Sequence, residues 1–229
     1  MRIGAARSRI PLWVKLPYTA FVAVVVPYYW ITYTPWNFLY FCDIALLVTL
    51  PALWFENAFL ASTQAVGILL PQMVWVIDFL ARAVAGVHVT GMTGYMFDSK
   101  LPLFVRALSS FHGWLPFLLI WMVARLGYDR RALRVQSVVA VVVILVCYLV
   151  GPAPPPDPAR PSAAVNINYV YGLDDQHPQT WMAPAVWVLS LTLFMVLGLF
   201  PLTHLVLRRL FAWPPPPGGT VPASEVSRT

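Results

Sequence analysis

The chain has 229 residues, of which 59% are hydrophobic and 10% are charged, and its formal net charge at pH 7 is +6. Soluble domains carry about 25% charged residues, so this composition excludes a water-soluble globular protein. Apolar runs of about 20 residues, long enough to cross a hydrocarbon layer of about 30 Å as helices, recur along the sequence. The composition therefore predicts an all-α, polytopic integral membrane protein.

Six apolar runs predict a six-helix transmembrane bundle over residues 16–207. Turn residues or charges separate the runs, such as Thr34-Pro35 and Glu56-Asn57. The first run lacks a small-residue cleavage site, so we interpret it as a span and not as a signal peptide. The predicted spans are residues 16–33, 36–55, 59–81, 107–124, 135–150 and 184–207.

The positions of the basic residues predict the orientation in the membrane. Of 15 Lys and Arg residues, four lie in the arm 1–15, four lie between spans four and five, and three lie beyond span six. With six spans these segments share one side, and basic loops favour the cytoplasm. We therefore expect a bacterial inner-membrane (plasma-membrane) protein with both termini cytoplasmic. The positive charge then reports topology, so we expect membrane lipids and no nucleic acid as partners.

Two segments read as lying outside the membrane. Residues 152–161, "PAPPPDPARP", predict a stiff polyproline-like spacer that opens an outer loop at 151–183. Residues 208–229, rich in Pro and Gly, predict a disordered cytoplasmic tail. The sequence has no internal repeat, so the inverted-repeat plan of many transporters has no support. It also has no Gly-rich phosphate loop, CxxC pair or HExxH motif, so we expect no nucleotide, metal or other cofactor.

Ionisable residues are costly inside a bilayer, and those that occur there mark candidate sites. His112 lies six residues inside Arg106, a residue that can snorkel to the outer interface, which gives a depth of about 9 Å. Cys42 has a matching depth in span two, and Asp78 lies about 6 Å deep, four residues before Arg82. The sequence therefore predicts one outer layer of reactive side chains, formed by Cys42, Asp43, Asp78 and His112.

Such a layer suits nucleophilic catalysis. A thiol becomes a strong nucleophile when a neighbouring base takes its proton, and a carboxylate can fix the tautomer of a histidine base. We predict Cys42 as the nucleophile, His112 as the base, and Asp43 or Asp78 as the residue that orients the imidazole. The reaction would be hydrolysis or transfer of an acyl group from a lipid ester. The acyl chain would be surrounded by aromatic side chains, those of Trp114, Tyr169 and Tyr171.

Each of these residues also has a structural interpretation. His112 can be an interhelical hydrogen-bond donor, and Cys42 can be a small hydrophobic residue or the disulfide partner of Cys147. Asp78 can form an ion pair with Arg82. If these interpretations hold, the protein is a non-catalytic membrane scaffold or a small transporter whose polar residues are helix-packing contacts.

Two further stretches bear on a site. Span three contains Gln64, Pro71 and Gln72, which predicts a helix facing the bundle interior. The loop "GVHVTGMTGYMFDSK" is punctuated by glycines and has alternating apolar residues, which suits an interfacial loop or a lid over a site. Its membrane-facing residues would be Met92, Tyr95, Met96 and Phe97.

Three motifs resemble those of known membrane protein families. "FLYFCDIALL" (38–47) resembles the second-span motif of the YwaF-like bacterial membrane proteins and the transmembrane protein 164 family, and "NINYVYGLDDQHP" (166–178) resembles their loop motif before the last span. "FHGWLPFLLIW" (111–121) resembles the androgen-induced protein family of lipid hydrolases, in which a span histidine is catalytic.

The resemblance implies Cys42 as nucleophile or acyl carrier, His112 as base, and Asn168 and Tyr169 at the entrance of a lipid site. There are departures from both patterns. The histidine before the cysteine in the YwaF-like pattern is Tyr40 or Phe41 here, and Tyr40 is the sole hydroxyl equivalent of the androgen-induced threonine nucleophile.

Overall fold

The structure is a computed structural model, and it describes residues 9–211. Within that range the regular structure is helical and contains no β-strand. Five of the helical segments are long and apolar enough to cross a membrane, and a shorter apolar helix accompanies them. This confirms the prediction of an all-α, polytopic membrane protein built as a helical bundle.

The helical segments follow the predicted spans closely. In chain order they are α1 (Leu12–Tyr33), α2 (Phe41–Trp54), α3 (Ala58–Ala85), α4 (Leu103–Ser109), α5 (Phe111–Leu126), α6 (Ala132–Val150), α7 (Pro184–Leu193) and α8 (Phe200–Leu210). Helices α4 and α5 together form one bent span, and α7 and α8 are joined by a π-helical segment, Phe194–Leu199, into another.

The second predicted span contains one short α-helix, α2. Its 14 residues correspond to about 21 Å of α-helix. A 3₁₀ helix of five residues, Pro35–Leu39, precedes it and adds about 10 Å. Together they match a hydrocarbon thickness of about 30 Å, so the second predicted span is a 3₁₀ turn followed by an α-helix.

The breaks in the two composite spans have local causes. The Ser110 hydroxyl between α4 and α5 donates to the carbonyl of Ala107 at 2.6 Å, and such back-bonding bends helices. The π-helical segment precedes Pro201, which has no N–H and leaves the carbonyl of Leu197 without its helical donor. Insertions of π-helix occur often at functional sites.

Helix α3 lies at the centre of the bundle and packs against α2, α5, α6 and α8. A Cβ added to Gly67 would lie 2.5 Å from Nε2 of Gln136 on α6, so this glycine permits a close approach of the two helices. Gln64 and Gln72 are 5% and 3% exposed, which confirms that these α3 residues face the interior. Pro71, predicted to face inward with them, is exposed on one side.

The two ends of the bundle differ. At one end, called the basic end here, Arg125 donates to the carbonyl of Arg9 at 3.4 Å and the amide of Tyr128 donates to the carbonyl of Phe211 at 3.2 Å. This end therefore holds the segment at residue 9, the loop 127–131 and the end of α8. The opposite end, called the loop end, carries residues 86–102 and 151–183.

Two helix boundaries change the extent of the predicted arm and tail. Helix α1 begins at Leu12 and so includes Lys15, and helix α8 continues to Leu210, so residues 208–210 are not part of a disordered tail. The rest of the predicted arm and tail, 1–8 and 212–229, lies outside the described residues. The proline-rich stretch is not one straight spacer, because it turns at Asp157–Arg160, where the amide of Arg160 donates to the carbonyl of Asp157.

Candidate functional site

A cavity of about 490 Å³ lies between the helices near the loop end. This volume is within the range of small-molecule sites in proteins. Two of its lining residues mark its rim, since Tyr169 is 42% and Phe194 is 60% exposed. Exposed lining residues lie both in the loop before the last span and on the π-helical segment, so the cavity reaches the surface of the bundle.

The cavity brings together most of the predicted site. Cys42, Asp43 and His112 line it, as do Asn168 and Tyr169 from the loop before the last span. The matching depths estimated for Cys42 and His112 correspond in the structure to one shared cavity.

Cys42 and Asp43 are the second and third residues of α2. The Cys42 thiol donates to Oδ2 of Asp43, with 3.6 Å between sulfur and oxygen. Asp43 is 3% exposed, and its other oxygen, Oδ1, has no hydrogen-bond partner among the described residues. The nearest acceptor for the thiol proton is therefore the neighbouring carboxylate, and not His112 as the sequence suggested.

His112 has a fixed tautomer. Its Nδ1 lies 2.8 Å from the carbonyl oxygen of Ser109, at the bend between α4 and α5. A carbonyl only accepts, so Nδ1 carries the hydrogen and Nε2 of the neutral ring keeps its lone pair. The ring also stacks on Trp75 of α3, with 5.5 Å between ring centres. The Ser109 carbonyl thus orients the imidazole, and the prediction that Asp43 or Asp78 does so is wrong.

Asp78 does not belong to the cavity lining. Its Oδ1 accepts from the amides of Val89, Thr90 and Gly91 at 2.8, 2.6 and 3.1 Å. Its Oδ2 accepts from the amide and the hydroxyl of Thr93 at 3.0 and 2.6 Å. A carboxylate with five donors in a loop organises that loop, so its predicted catalytic role is wrong.

The predicted ion pair between Asp78 and Arg82 is absent from the described part of the chain. Arg82 instead donates to the carbonyl of Gly86 at 2.6 Å, at the end of α3. The loop that Asp78 holds presents Met92 and Tyr95 to the cavity. Asp78 therefore acts on the cavity indirectly, by positioning the segment that covers it.

The predicted lid is divided between two roles. Met92 and Tyr95 line the cavity, as a cover would. Phe97 turns back and stacks on Phe79 of α3, with 5.2 Å between ring centres. One part of the loop therefore faces the cavity while another anchors the loop to the bundle.

The loop before the last span fixes the start of α2. Oδ1 of Asn168 accepts from the amide of Phe41 at 3.0 Å, and its Nδ2 donates to the carbonyl of Leu39 at 2.8 Å. Asn168 thus caps a helix that lies 127 residues earlier in the chain. Asn168 and Tyr169 have φ of 57° and 63°, a left-handed conformation that side chains rarely adopt and that often marks functional sites.

Asn166 stabilises the same loop from within. Its Oδ1 accepts from the amide of Tyr171 at 2.8 Å, and its Nδ2 donates to the carbonyl of Gly172 at 2.9 Å and to Oδ1 of Asp175 at 3.1 Å. Asp175 lines the cavity, and its partial burial raises the pKa of its carboxyl. This network brings a second carboxyl group to the cavity.

Two predicted aromatic walls lie elsewhere. Trp114 does not line the cavity and instead packs edge-on against Tyr18 and Phe21 of α1, with 5.8 and 5.2 Å between ring centres. The Tyr171 hydroxyl donates to the carbonyl of Tyr148 at 2.9 Å, so this ring packs on α6. Of the three predicted walls, Tyr169 alone lines the cavity.

Sequence reasoning missed the contribution of α3 to the cavity. Gln72 and Trp75 line it, are 3% and 6% exposed, and have polar side-chain atoms without any hydrogen-bond partner among the described residues. The signal was available, because the lining residues of α3 recur with helical spacing, at Gly67, Ile68, Pro71, Gln72 and Trp75.

Both cysteines are free thiols, so the alternative of a disulfide between Cys42 and Cys147 does not apply. Within residues 9–211, no group of three or more His, Cys, Asp or Glu side chains is arranged to hold a metal ion. No protein-family model, curated protein or solved structure matches this chain.

Proposed function

We propose that this protein is a membrane-embedded enzyme that hydrolyses or transfers the acyl group of a lipid ester, with Cys42 as the nucleophile. One observation carries the proposal: the Cys42 thiol, the Asp43 carboxylate to which it donates a hydrogen bond, and the His112 imidazole with an available Nε2 line one cavity. The sequence resemblance to lipid hydrolases supports the same class of reaction.

In the first step the Cys42 thiol attacks the ester carbonyl. Its proton moves to Oδ2 of Asp43 as the S–C bond forms, and the carbonyl oxygen becomes an oxyanion. The tetrahedral intermediate then collapses with cleavage of the C–O bond. The leaving alcohol takes the proton from Asp43, so an ester and a thiol become a thioester and an alcohol.

In the second step His112 acts as the general base. Its Nε2 takes a proton from water, or from the hydroxyl of an acceptor lipid, while that oxygen attacks the thioester. The C–S bond breaks, and the thiolate recovers the proton from the imidazolium. Water as acceptor yields a fatty acid and the free thiol, whereas a lipid hydroxyl yields a new ester.

The apolar part of the cavity wall suits an acyl chain. It contains apolar residues of α7, the π-helical segment and its junction with α8, and an apolar chain gains free energy on leaving the bilayer only when such a wall replaces lipid contacts. These lining residues are Leu191, Phe194, Met195 and Leu199.

The proposed location is a bacterial inner membrane with the basic end in the cytoplasm. Basic segments at that end support this orientation. The cavity would then open to the outer leaflet. Reporter fusions at Gly127 and Ala164 are expected to give cytoplasmic and extracytoplasmic signals respectively, and a shared location would refute this topology.

The test of the enzymatic proposal uses purified protein in lipid nanodiscs. A panel of acyl-labelled glycerolipids and phospholipids is supplied, and intact-protein mass spectrometry records a covalent acyl adduct that hydroxylamine removes. Cys42→Ala should abolish the adduct, and Cys147→Ala is the matched control, because Cys147 is a free cysteine that does not line the cavity. Absence of both turnover and adduct with every ester would refute the proposal.

A further inference from the structure

We infer that the cavity recognises an uncharged lipid head that offers both a hydroxyl and an ester carbonyl, as in a mono- or diacylglycerol, and that phosphate-bearing lipids are not its ligands. The inference names the substrate class and rests on the proposed function for the chemistry that follows binding. Its support comes from two properties of the cavity wall: unpartnered polar atoms and the absence of basic residues among the described lining residues.

Four buried polar atoms of the lining have no hydrogen-bond partner in the described part of the chain. They are Oδ1 of Asp43, Oε1 and Nε2 of Gln72, and Nε1 of Trp75. Their side chains belong to residues that are at most 6% exposed. Buried polar groups in native proteins nearly always have partners, so orphan groups grouped in one cavity indicate a ligand that supplies those partners.

The four atoms indicate which hydrogen-bonding groups the lipid head must carry. Oδ1 of Asp43 and Oε1 of Gln72 accept hydrogen bonds, whereas Nε2 of Gln72 and Nε1 of Trp75 donate them. A hydroxyl can donate to the acceptors, and an ester carbonyl can accept from the donors. In the proposed reaction the same donors would face the oxygen that becomes an oxyanion, where their hydrogen bonds are strongest.

The charges of the lining argue against a phosphate. No Lys or Arg is among the described residues that line the cavity, whereas Asp43 and Asp175 both are. Arg106, next to the lining residue Val105, points into the loop and donates to the carbonyl of Met96 at 3.3 Å. Phosphate groups in proteins are bound by basic side chains or clustered backbone amides, so an anionic head would meet carboxyl groups without compensation.

A quaternary ammonium head is the other candidate, because tyrosine rings and carboxylates also line the cavity. Two of these tyrosines have their hydroxyls engaged, since Tyr40 donates to the carbonyl of Val165 and Tyr29 lies 3.4 Å from the Ser109 hydroxyl. A quaternary ammonium has neither a donor nor an acceptor, so it would leave the Gln72 amide and the Trp75 indole unpartnered. The hydroxyl-bearing ester accounts for all four atoms.

The experiment compares three heads on one acyl or alkyl chain length. Equilibrium binding of a radiolabelled monoacylglycerol to the Cys42→Ala protein in nanodiscs is competed with unlabelled monoacylglycerol, lysophosphatidic acid or an alkyl trimethylammonium. The Cys42→Ala background prevents turnover during the measurement. We expect monoacylglycerol to compete at least roughly tenfold better than either charged amphiphile, because their heads leave buried polar groups unpaired.

Two variants of the same protein then test the named atoms of Gln72 and Trp75, and a third variant is their control. Gln72→Leu and Trp75→Phe should each weaken monoacylglycerol binding by roughly tenfold. Gln64→Leu is the matched control, because Gln64 lies on the same helix and is 5% exposed but does not line the cavity. The comparison of the three lipid heads uses no Gln72 or Trp75 substitution. It therefore tests the inference even if one of these variants does not fold.

The outcomes separate this inference from the proposed function. Equal or stronger competition by lysophosphatidic acid or the trimethylammonium would overturn the inference, as would equal losses in the Gln64→Leu and Gln72→Leu proteins. Selective monoacylglycerol binding with neither turnover nor an acyl adduct in the parent protein would support the recognised head and refute the proposed chemistry. Turnover of lysophosphatidic acid at the same rate as monoacylglycerol would support the proposed chemistry and refute the recognised head.

Discussion

The paired polar groups at the basic end contrast with those of the cavity near the loop end. At the basic end such groups are paired: Lys15 lies 2.8 Å from Glu56, and the Tyr128 hydroxyl lies 2.7 Å from Nδ1 of His204. In the cavity near the loop end, Asp43 and Gln72 keep polar atoms that are buried and have no partner among the described residues.

This difference separates stability from function along one molecule. Satisfied hydrogen bonds and ion pairs at the basic end hold the helices and the segment at residue 9 together. Unsatisfied groups in the cavity reduce stability until a ligand binds, which is the usual cost of a preformed polar site. Substitutions at the basic end should therefore change stability first, and substitutions in the cavity should change binding or turnover first.

The largest effect is expected from His112→Gln. If His112 is the base of the second step, its loss should reduce turnover by roughly 10²–10⁴-fold and should cause the acyl-enzyme to accumulate. Asp43→Asn, by contrast, should prevent the acyl-enzyme from forming. Intact-protein mass spectrometry distinguishes the two results. An unfolded His112→Gln protein with unaltered turnover in Cys42→Ala would show that the histidine is a packing residue.

Glu56→Gln tests the basic end. Glu56 accepts from Lys15, which is nearly buried, and from the amides of Arg9 and Ile10. Removing its charge should lower the free energy of unfolding by about 3 kcal/mol, because the nearly buried ammonium of Lys15 then faces a neutral amide instead of a carboxylate. Denaturant titration in bicelles measures the loss. Turnover per folded molecule should stay unchanged, and a selective loss of turnover would break the proposed division between the two ends.

Asp78→Asn tests the loop that covers the cavity. An asparagine places an amide where an oxygen now accepts from backbone amides and Thr93, so the loop 86–102 should become less ordered, at a cost of about 1–3 kcal/mol. Hydrogen exchange should increase in that segment, and the KM for a lipid ester should rise more than kcat falls. Asp98→Asn is the control, because Asp98 lies in the same loop but bonds only to the nearby amide of Lys100. Equal exchange in both variants would contradict this role of Asp78.

Gln72→Leu should make the ligand-free protein more stable. Both polar atoms of the Gln72 amide are buried without a partner, so an apolar side chain of similar volume removes their desolvation cost, a gain of about 1 kcal/mol. Thermal unfolding in nanodiscs measures the gain. The same substitution at Gln64 should not stabilise the protein. A destabilised Gln72→Leu protein would indicate that this amide has a structural partner.

The smallest effect concerns pH. Burial raises the folded-state pKa of Asp175 above its ordinary value of 3.8. The folded state then binds this proton more tightly than the unfolded state, so the contribution of Asp175 to stability falls as pH rises from about 4 to the raised pKa and is constant above it. The difference in thermal midpoint between the parent and Asp175→Asn, measured from pH 4 to 7, should show this slope. A flat difference would show that partial burial does not raise the pKa of Asp175.

Much of the fold could be predicted from the sequence because membrane spans are encoded by local composition. The predicted spans overlap every long helix, and Cys42 and His112, for which helix rise predicts one depth, line the same cavity. The division of span two into a 3₁₀ turn and a short helix was missed. A hydropathy window averages over both kinds of helix, so it does not show that the segment that begins with Pro35 and contains Asn37 is a 3₁₀ turn.

The site was harder to predict because its geometry depends on distant segments. Asp78 and Arg82 have ideal spacing for an ion pair, but the Asp78 carboxylate accepts instead from five donors of a loop that lies 11 to 15 residues later. Trp114 is close to His112 in sequence yet faces α1, since neighbouring helical residues point in different directions. Depth can be read from a sequence more easily than the direction in which a side chain points.

The cap that Asn168 provides for α2 has a consequence for biosynthesis. The start of α2, which carries Cys42 and Asp43, receives its side-chain cap from a residue that lies 127 positions later than the amide it binds. At a synthesis rate of roughly 5–20 residues per second, the ribosome delivers that residue about 6–25 s after Phe41. The nascent chain therefore carries its thiol into the membrane before the proposed active site exists, and the site is completed only when the loop before the last span reaches it.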